Sequence, residues 1–338
     1  MIHILMPAPL PPLIQNALDE RFKVHRLYAA QNKEVMLGAI RQDVRAIVTG
    51  VPILTQDVSA PVTGALMSQL PALELVANLG VGYDNIDAAW AAAHGVIVTN
   101  TPDVLTEETA DTAFGLLLNA VRQFSRAERW LRQGNWLNGQ FPPTASLRDR
   151  TMGILGLGRI GKSIARRAEA FGVTIVYHNR KADPSAPYEY CASLLELARR
   201  SNILMIAAPG GPETKNLVDR EVLDALGPDG VLVNVARGSI VDENALVEAL
   251  QDRRILTAAL DVFVDEPRVR PELLAMDHIV LLPHVGSASQ HTRDAMSRLV
   301  IENVLAWSKG NDVLTPVAET AWRRPPRRAR QPRFQEGS

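Results

Sequence analysis

The sequence has one cysteine among its 338 residues, few aromatic side chains and no long uninterrupted apolar run. Cys191 therefore has no thiol partner for an internal disulfide or a thiolate metal site, and we expect it to be a buried bystander. No stretch reaches the roughly 20 apolar residues that a membrane-spanning helix needs. The N-terminus also lacks a basic leader before its apolar residues. These absences predict a cytoplasmic protein without a metal site or membrane contact.

A large net charge is missing as well, since the formal value is only −1. The charge is unevenly spread: residues 321–338 hold six arginines and one glutamate, which leaves −6 on residues 1–320. Proline and arginine without apolar periodicity cannot build a core, so residues 319–338 are predicted to be a basic, disordered tail. A basic arm for nucleic acid is the alternative. The acidic body and the lack of interleaved aromatics argue against it, and we expect no nucleic-acid partner.

The chain does contain a regular alternation of short apolar runs with helical patterns. In its first part, apolar runs occupy residues 2–6, 45–49, 73–77 and 95–99. A second series extends over residues 151–283, with the candidate strands MGIL, VTIVY, ILMIA, VLVNV, TAAL and HIVLL. Strands that alternate with helices predict βαβ units and a mostly parallel sheet. The sequence thus predicts an α/β fold of two Rossmann-like lobes, with the functional site in the cleft between them.

Long helical patterns join and follow these two series. Residues 103 to about 133 are typical of one long helix, with Asp103 as its N-cap and Gly134 as its end. An apolar stripe on this helix comprises Ala110, Ala113, Phe114, Leu117, Leu118 and Val121. Burial in the core is the default interpretation of the stripe, and a subunit contact is the alternative. A final amphipathic helix is predicted over residues 288–309.

The stretch GILGLGRIG supplies the strongest single motif, G-x-G-x-x-G at Gly156, Gly158 and Gly161. It directly follows an apolar strand and directly opens a helix, which is the context of a dinucleotide site. In that interpretation Gly156 allows the tight turn, Gly158 lets a pyrophosphate approach the backbone, and Gly161 lets the helix pack on the strand. The amides of the helix N-terminus would face the phosphate charge. The motif therefore predicts a nucleotide site.

The next strand ends in VYHNRKAD, at the position that faces the adenine ribose in such sites. An acid there usually bonds the ribose hydroxyls of NAD, but Asn179 stands 18 residues after Gly161, where the acid is expected. Asparagine can bond a hydroxyl without repelling a 2′-phosphate, and Arg180 and Lys181 add two cations beside it. The sequence thus favours NADP(H), with NAD(H) possible. Asp183 is the alternative acid if the loop returns it to the ribose.

Three polar residues each follow an apolar run in the second series. Arg237 comes after VLVNVA, Glu266 lies in LDVFVDEP, and His284 comes after HIVLLP. Loops at the carboxyl ends of parallel strands converge on the ligand crevice. A histidine, a carboxylate and an arginine behind a dinucleotide motif form a coherent catalytic group, although each alone is more often structural.

Six ordered stretches make the chain similar to the D-isomer-specific 2-hydroxyacid dehydrogenases over residues 1 to about 312. They read NLGVGYDNID, TPDVLTEETAD, GILGLGRIG, NVARGSIVDENAL, ALDVFVDEP and LLPHVGSAS. Within the family the chain most resembles the NADPH-preferring glyoxylate and hydroxypyruvate reductases. It ends too soon after the final helix for the regulatory domain of long phosphoglycerate dehydrogenases, which indicates a stand-alone reductase.

The resemblance implies a discontinuous domain organisation. A flavodoxin-like substrate domain would comprise residues 1–99 and 285–318, and a dinucleotide-binding domain would comprise residues 100–284. The chain would form a homodimer through the helical segment near residues 103–140. The apolar stripe and Trp130 or Trp136 would then pack against the second subunit.

The resemblance also implies catalytic roles. Arg237 would clamp the carboxylate and the reacting carbonyl of a 2-oxo acid, and the amides of Val81 and Gly82 would bind the same carboxylate. His284 would be the general acid in reduction and the base in oxidation. Glu266 would orient the imidazole and stabilise its cation. Side chains that select among 2-oxo acids are expected in first-lobe loops such as TGVPILT, residues 49–55.

The cofactor contacts that the resemblance implies lie in the glycine turn and the loops that follow the strands. They are Thr106, Gly156, Leu157, Gly158, Arg159, Ile160, Gly161, Asn179, Arg180, Lys181, Ala208, Pro209, Thr214, Val235, Ala236, Arg237, Asp261, His284 and Gly286. Asp261 would bond the nicotinamide carboxamide, and a strand-end cap is its structural alternative. In the cofactor-lining loop IAAPGGPET, Gly210 and Gly211 replace the Leu-Thr often found there, so this loop departs from the family pattern.

Two other functions stay open at the level of sequence. One is different chemistry on the same scaffold, an NAD-linked D-2-hydroxyacid dehydrogenase or an enzyme of the phosphoglycerate, formate or phosphonate type. The basic HNRK stretch weakens the NAD-linked versions. The other is a dinucleotide-sensing transcriptional co-repressor, against which the presence of Arg237, Glu266 and His284 argues.

The basic stretch generates a prediction about cofactor preference. Replacing Asn179→Asp together with Arg180→Ala should move the preference from NADPH toward NADH, because an acid repels the 2′-phosphate and one phosphate-binding cation is lost. The measurement is the ratio of kcat/KM for NADPH to that for NADH, before and after the change. A ratio that stays constant would mean that other residues select the cofactor.

Overall fold

The computed structural model describes residues 1–50 and 61–321, and its first lobe is built on a five-stranded parallel sheet in the order β2-β1-β3-β4-β5. The strands are β1 (His3–Met6), β2 (Lys23–Arg26), β3 (Val44–Gly50), β4 (Leu75–Leu79) and β5 (Ile97–Thr99). The helices are α1 (Pro12–Asp19), α2 (Lys33–Ile40), α3 (Gly64–Ser68) and α4 (Ala88–Ala93). Every residue of β4 is buried, as both faces of the sheet are covered.

The second lobe has a seven-stranded parallel sheet in the order β12-β11-β10-β9-β6-β7-β8. Its strands are β6 (Thr151–Leu155), β7 (Thr174–His178), β8 (Glu189–Tyr190), β9 (Ile203–Ile206), β10 (Val231–Asn234), β11 (Thr257–Leu260) and β12 (Val280–Leu281). Its helices are α5 (Thr106–Arg122), α6 (Phe124–Arg132), α7 (Arg159–Ala170), α8 (Leu194–Arg199), α9 (Arg220–Leu226), α10 (Glu243–Gln251) and α11 (Pro271–Leu274). The strand order reverses beside β6, which creates the crevice where ligands bind in such sheets. The predicted fold class is confirmed.

The last helix, α12 (Gln290–Ser308), packs against α1 and β4 of the first lobe. Trp307 is fully buried there, and its indole donates to Glu74 at 3.1 Å. Thr320 is buried and accepts a hydrogen bond from the amide of Val98 at 3.0 Å. Residues 319 and 320, which the prediction assigned to the tail, therefore pack on the first lobe. Residues 322–338 of the predicted tail, like residues 51–55 of TGVPILT, lie outside the described part of the chain.

The prediction of one long helix from residue 103 is wrong in two respects. Asp103 is not its N-cap: it has a φ of +70°, and the helix begins at Thr106 without a side-chain cap. The helix is also interrupted at Gln123, whose left-handed φ of +55° separates α5 from α6. Gly134 ends the segment as predicted, with a φ of +75°. Apolar periodicity continues through such a break, so the sequence pattern did not reveal it.

The apolar stripe of α5 faces the core of its own lobe. Ala110, Ala113, Phe114, Leu117 and Val121 are buried, Leu118 is half-buried against the same core, and the helix packs on α7, β10 and β11. The core interpretation is confirmed, and the stripe cannot serve as a subunit contact.

Cys191 is buried as expected. Among the described residues, no helix combines the length and the apolar character that crossing a bilayer requires.

Candidate active site

The glycine turn lies between β6 and α7, at the reversal of the strand order. Gly156 has a φ of +97°, and a Cβ there would lie 2.5 Å from the backbone nitrogen of Ala208. A Cβ on Gly161 would collide with the carbonyl of Gly156, so this glycine lets α7 pack on the end of β6. Both positions exclude larger residues for the reasons that the motif predicted.

The start of α7 has the features of an anion site. Gly158 precedes the helix, no side chain caps the first turn, and a Cβ at Gly158 would meet no atom within 4 Å. The first backbone N–H groups of a helix have no partner inside the helix, and they attract negative charge. Arg159, the first residue of α7, pairs with Asp103 at 2.8 Å. A pyrophosphate therefore fits here without displacing a side chain from the helix amides.

The residues after β7 have partners that sequence reasoning did not foresee. The side-chain oxygen of Asn179 accepts the amide of Leu157 at 2.7 Å, which fastens the glycine turn to the end of β7. Arg180 pairs with Glu213 at 3.0 Å, and both side chains are exposed, as is Lys181. Asp183 is paired with Lys162 of α7 at 2.6 Å, which lowers the pKa of its carboxyl. Asp183 is thus already paired with a cation of α7.

The predicted catalytic side chains follow three neighbouring strands. Arg237, Glu266 and His284 come after β10, β11 and β12, which lie side by side in the sheet. The Nδ1 atom of His284 lies 2.9 Å from Glu266. A carboxylate only accepts hydrogen bonds, so Nδ1 carries the proton in this contact and Nε2 is left for a ligand. The other oxygen of Glu266 accepts the amide of Phe263 at 2.8 Å, which fixes the carboxylate.

The backbone at His284 is held in an uncommon conformation. Its φ is +51°, in the left-handed region that side chains other than glycine rarely adopt. Directly after it, the amides of Val285 and Gly286 donate to the carboxylate of Asp261 at 2.7 and 2.8 Å. Burial raises the pKa of Asp261, and the two amides offset that shift in part. The strand-end cap that sequence analysis weighed for Asp261 is present, and it holds the loop that carries His284.

Arg237 crosses from the second lobe to the first. Its Nε donates to Asp84 at 3.1 and 3.3 Å, and Nη1 donates to the carbonyl of Ala236 at 2.8 Å. Its Nη2 lies so close over Gly82 that a Cβ there would collide with it. The structure therefore brings Arg237 together with the loop predicted to bind a carboxylate. Asp84 lies inside the quoted stretch NLGVGYDNID, but the sequence alone gave no sign that it pairs with Arg237.

The loop at Val81 and Gly82 is fixed by its carbonyl groups. Asn100 donates to the carbonyl of Val81 at 2.8 Å, and Asn78 donates to that of Gly82 at 2.9 Å. No amide hydrogen bond joins Val81 or Gly82 to another described residue. Two free amides beside a guanidinium make a site that suits a small carboxylate. Sequence analysis missed Asn78 and Asn100, since the hydrogen bonds by which they hold this loop depend on the folded structure.

The remaining predicted cofactor residues also lie at the carboxyl ends of the strands or at a helix start. Leu157 and Ile160 belong to the glycine turn and α7, and Thr106 begins α5. Ala208 packs on Gly156, and the hydroxyl of Thr214 donates to the carbonyl of Pro209 at 2.9 Å. Val235 and Ala236 directly follow β10. Their placement is compatible with one extended ligand along this edge.

Comparison with known protein families gives a consistent result. Residues 114–286 match the model of the D-isomer specific 2-hydroxyacid dehydrogenase NAD-binding domain. Over 316 residues the chain is 43% identical to glyoxylate/hydroxypyruvate reductase A of Arabidopsis thaliana, which covers 94% of this chain and 99% of the relative. It is 42% identical, with the same coverage, to hydroxyphenylpyruvate reductase of Plectranthus scutellarioides.

A solved structure is similar over nearly the whole chain. It is the NADPH-dependent glyoxylate/hydroxypyruvate reductase of Sinorhizobium meliloti in complex with NADP and malonate. The two proteins are 47% identical with a TM-score of 0.86, and the match covers 96% of this chain and 99% of the other.

The contact between Gly210 and Arg237 generates a prediction. A Cβ at Gly210 would lie 2.6 Å from Cγ of Arg237, so Gly210→Ala should push the guanidinium from its place over Gly82. We expect the KM for a 2-oxo acid to rise more than the dissociation constant of the dinucleotide, since the dinucleotide would keep its contacts with the glycine turn and the start of α7. Gly115→Ala, at a position with free space in α5, is the control and should leave both constants unchanged. An unaltered KM in Gly210→Ala would show that Arg237 tolerates the added methyl group.

Proposed function

Since this chain belongs to the D-isomer-specific 2-hydroxyacid dehydrogenase family, we propose that it reduces glyoxylate, hydroxypyruvate or a related 2-oxo acid, with NADPH as the preferred donor and NADH possible. The family and the oxidoreductase class that the sequence motifs predicted are confirmed by the relatives. The contact of Arg237 with the loop at Val81 and Gly82 is the observation that supports the proposal most. Gly238, beside Arg237, packs on the backbone of Phe263, whose amide holds Glu266. A carboxylate site and the histidine–glutamate pair thus adjoin.

A dinucleotide fits the edge formed by the second lobe. The uncapped amides at the start of α7 would hold its pyrophosphate, with Gly158 leaving room. Asn179, Arg180 and Lys181 would face the adenosine ribose, and Asn179, at the position of the usual acid, does not repel a 2′-phosphate. When bound, the cofactor supplies the hydride that reduces the carbonyl carbon.

The chain's own residues would hold the 2-oxo acid and move the proton. The carboxylate would bind the free amides of Val81 and Gly82 and the guanidinium of Arg237, which would also stabilise the negative charge that develops on the carbonyl oxygen. The imidazolium form of His284, which Glu266 would stabilise through Nδ1, would donate the proton on Nε2 to that oxygen and be left as neutral imidazole. In oxidation the same nitrogen would accept the proton.

We also propose two domains and a homodimer. The substrate domain would comprise the first lobe with α12, and the remaining residues would form the cofactor domain.

Exposed apolar side chains on and after α6 support a subunit contact there: Trp136 is 67% exposed and Leu137 is 93% exposed. One buried cysteine in the whole chain suits a reducing compartment such as the cytoplasm.

The experiment that tests this function is a panel of 2-oxo acids assayed by NADPH oxidation and then by NADH oxidation. We expect turnover of glyoxylate or hydroxypyruvate, with a higher kcat/KM for NADPH than for NADH. Larger 2-oxo acids such as 2-ketogluconate and aryl pyruvates belong in the panel, because all share the carboxylate and carbonyl that Arg237 would bind. No turnover of any member with either cofactor would refute the proposal.

A change at His284 tests the proton donor. His284→Ala should lower the rate of reduction by about 10²-fold or more, the usual contribution of a positioned acid. Affinity for NADPH, measured by quenching of protein fluorescence, should stay nearly intact because the amides of α7 are unaffected. An unchanged rate would remove His284 from the mechanism.

A further inference from the structure

One ion pair stands at the adenosine end of the proposed cofactor site and has no assigned role. The Nη1 atom of Arg180 lies 3.0 Å from a carboxylate oxygen of Glu213. Both side chains reach into solvent, with 84% and 77% of their surfaces exposed. Among the described residues, neither side chain has another ion-pair or hydrogen-bond partner.

The pair spans the glycine turn. Arg180 follows β7 and Glu213 lies in the loop after β9, and these two strands flank β6 in the sheet. Since the strands are parallel, their carboxyl ends share one edge, and the two side chains meet above the turn that follows β6. Arg180, the cation predicted to read a 2′-phosphate, is therefore already bound to a carboxylate.

Both backbones that carry the pair are fastened. Next to Arg180, Asn179 accepts the amide of Leu157 with its side chain and the hydroxyl of Tyr190 with its carbonyl at 3.1 Å. Next to Glu213, the hydroxyl of Thr214 donates to the carbonyls of Pro209 and Gly211 at 2.9 and 3.2 Å. The charged groups at the ends of the two side chains can rotate, while the loops that position them are held.

We propose that Glu213 is a cofactor-specificity residue that competes with the 2′-phosphate of NADPH for the guanidinium of Arg180. The inference rests on the proposed function, in which Arg180 faces the adenosine ribose. The carboxylate of Glu213 occupies Arg180 in the free protein. A bound 2′-phosphate replaces that carboxylate and leaves it beside a group of the same sign, so Glu213 weakens NADPH binding. NADH has no group that requires this exchange.

Charge and exposure make the exchange feasible. An ion pair between exposed side chains stabilises a protein little, because water and salt screen it. A phosphate carries more negative charge than a carboxylate and offers three acceptor oxygens to the planar guanidinium. Arg180 therefore binds the phosphate in preference to the carboxylate. The displaced carboxylate stays nearby and repels the phosphate, which lowers the affinity for NADPH. The chain would have a weaker NADPH preference than its two adjacent cations suggest.

The test uses adenosine fragments, which bind without turnover. We would measure the affinity of the full chain for adenosine 2′,5′-bisphosphate and for adenosine 5′-monophosphate by calorimetry, with Glu213 intact and with Glu213→Gln. The variant should bind the bisphosphate about three- to tenfold more tightly at low ionic strength, with the gain shrinking at 0.5 M salt. Affinity for the monophosphate should change by less than about twofold, because no 2′-phosphate is present. Equal affinities for the bisphosphate in both proteins would overturn the proposal.

Two further variants separate this exchange from a general effect of charge. Glu248→Gln removes a carboxylate from another exposed pair of the same lobe, with Arg220 at 3.1 Å, and should leave both fragment affinities unchanged. In a protein that already carries Arg180→Ala, Glu213→Gln should raise the affinity for the bisphosphate by less than about twofold, since the guanidinium is gone. A full gain in that background, or a gain in Glu248→Gln, would refute competition for Arg180. Kinetics with NADPH and NADH test the enzyme function separately, so absence of turnover would not by itself contradict the fragment result.

Discussion

The ion pair between Arg237 and Asp84 joins the two lobes where the carboxyl ends of their sheets meet. Arg237 follows β10 of the second sheet, and Asp84 lies in the loop after β4 of the first. The contact holds the guanidinium over Gly82 and leaves Nη2 facing a loop with two free amides. The proposed carboxylate site takes groups from both lobes, so its geometry depends on the contact between Arg237 and Asp84.

On the second lobe, three parallel strands bring the proposed catalytic side chains to one edge of the sheet, and local hydrogen bonds hold two of them. Glu266 holds Nδ1 of His284, and Asp261 holds the two amides that follow it. These contacts, at the side chain of His284 and at the amides that follow it, help to hold its left-handed backbone. The Nδ1 atom of the imidazole is bonded to Glu266 and Nε2 is left for a ligand, which suits the proposed proton transfer.

Sequence patterns predicted elements better than their ends. Six of the seven strands of the second sheet were predicted, because each coincides with an apolar run in the sequence. The prediction missed β8 of that sheet, which is two residues long, and β2 of the first sheet, which is partly exposed. The break at Gln123 was missed because the apolar period continues across it. Arg237, Glu266 and His284 could be chosen from sequence, since each follows a buried strand. Asp84 and Glu213 could not, because their partners lie 153 and 33 positions away and are selected by the fold.

The sequence by itself determined the α/β class, the dinucleotide motif and the family, because these depend on residue types at short and regular spacings. It also showed that an acid is missing after β7 and that two cations follow. Only the tertiary structure decided what those side chains contact: Asn179 fastens the glycine turn, Arg180 binds Glu213, and Asp183 binds Lys162. The physical reason is that charge pairing acts over a few ångströms in space, and which loops come that close depends on the order of strands in the sheet.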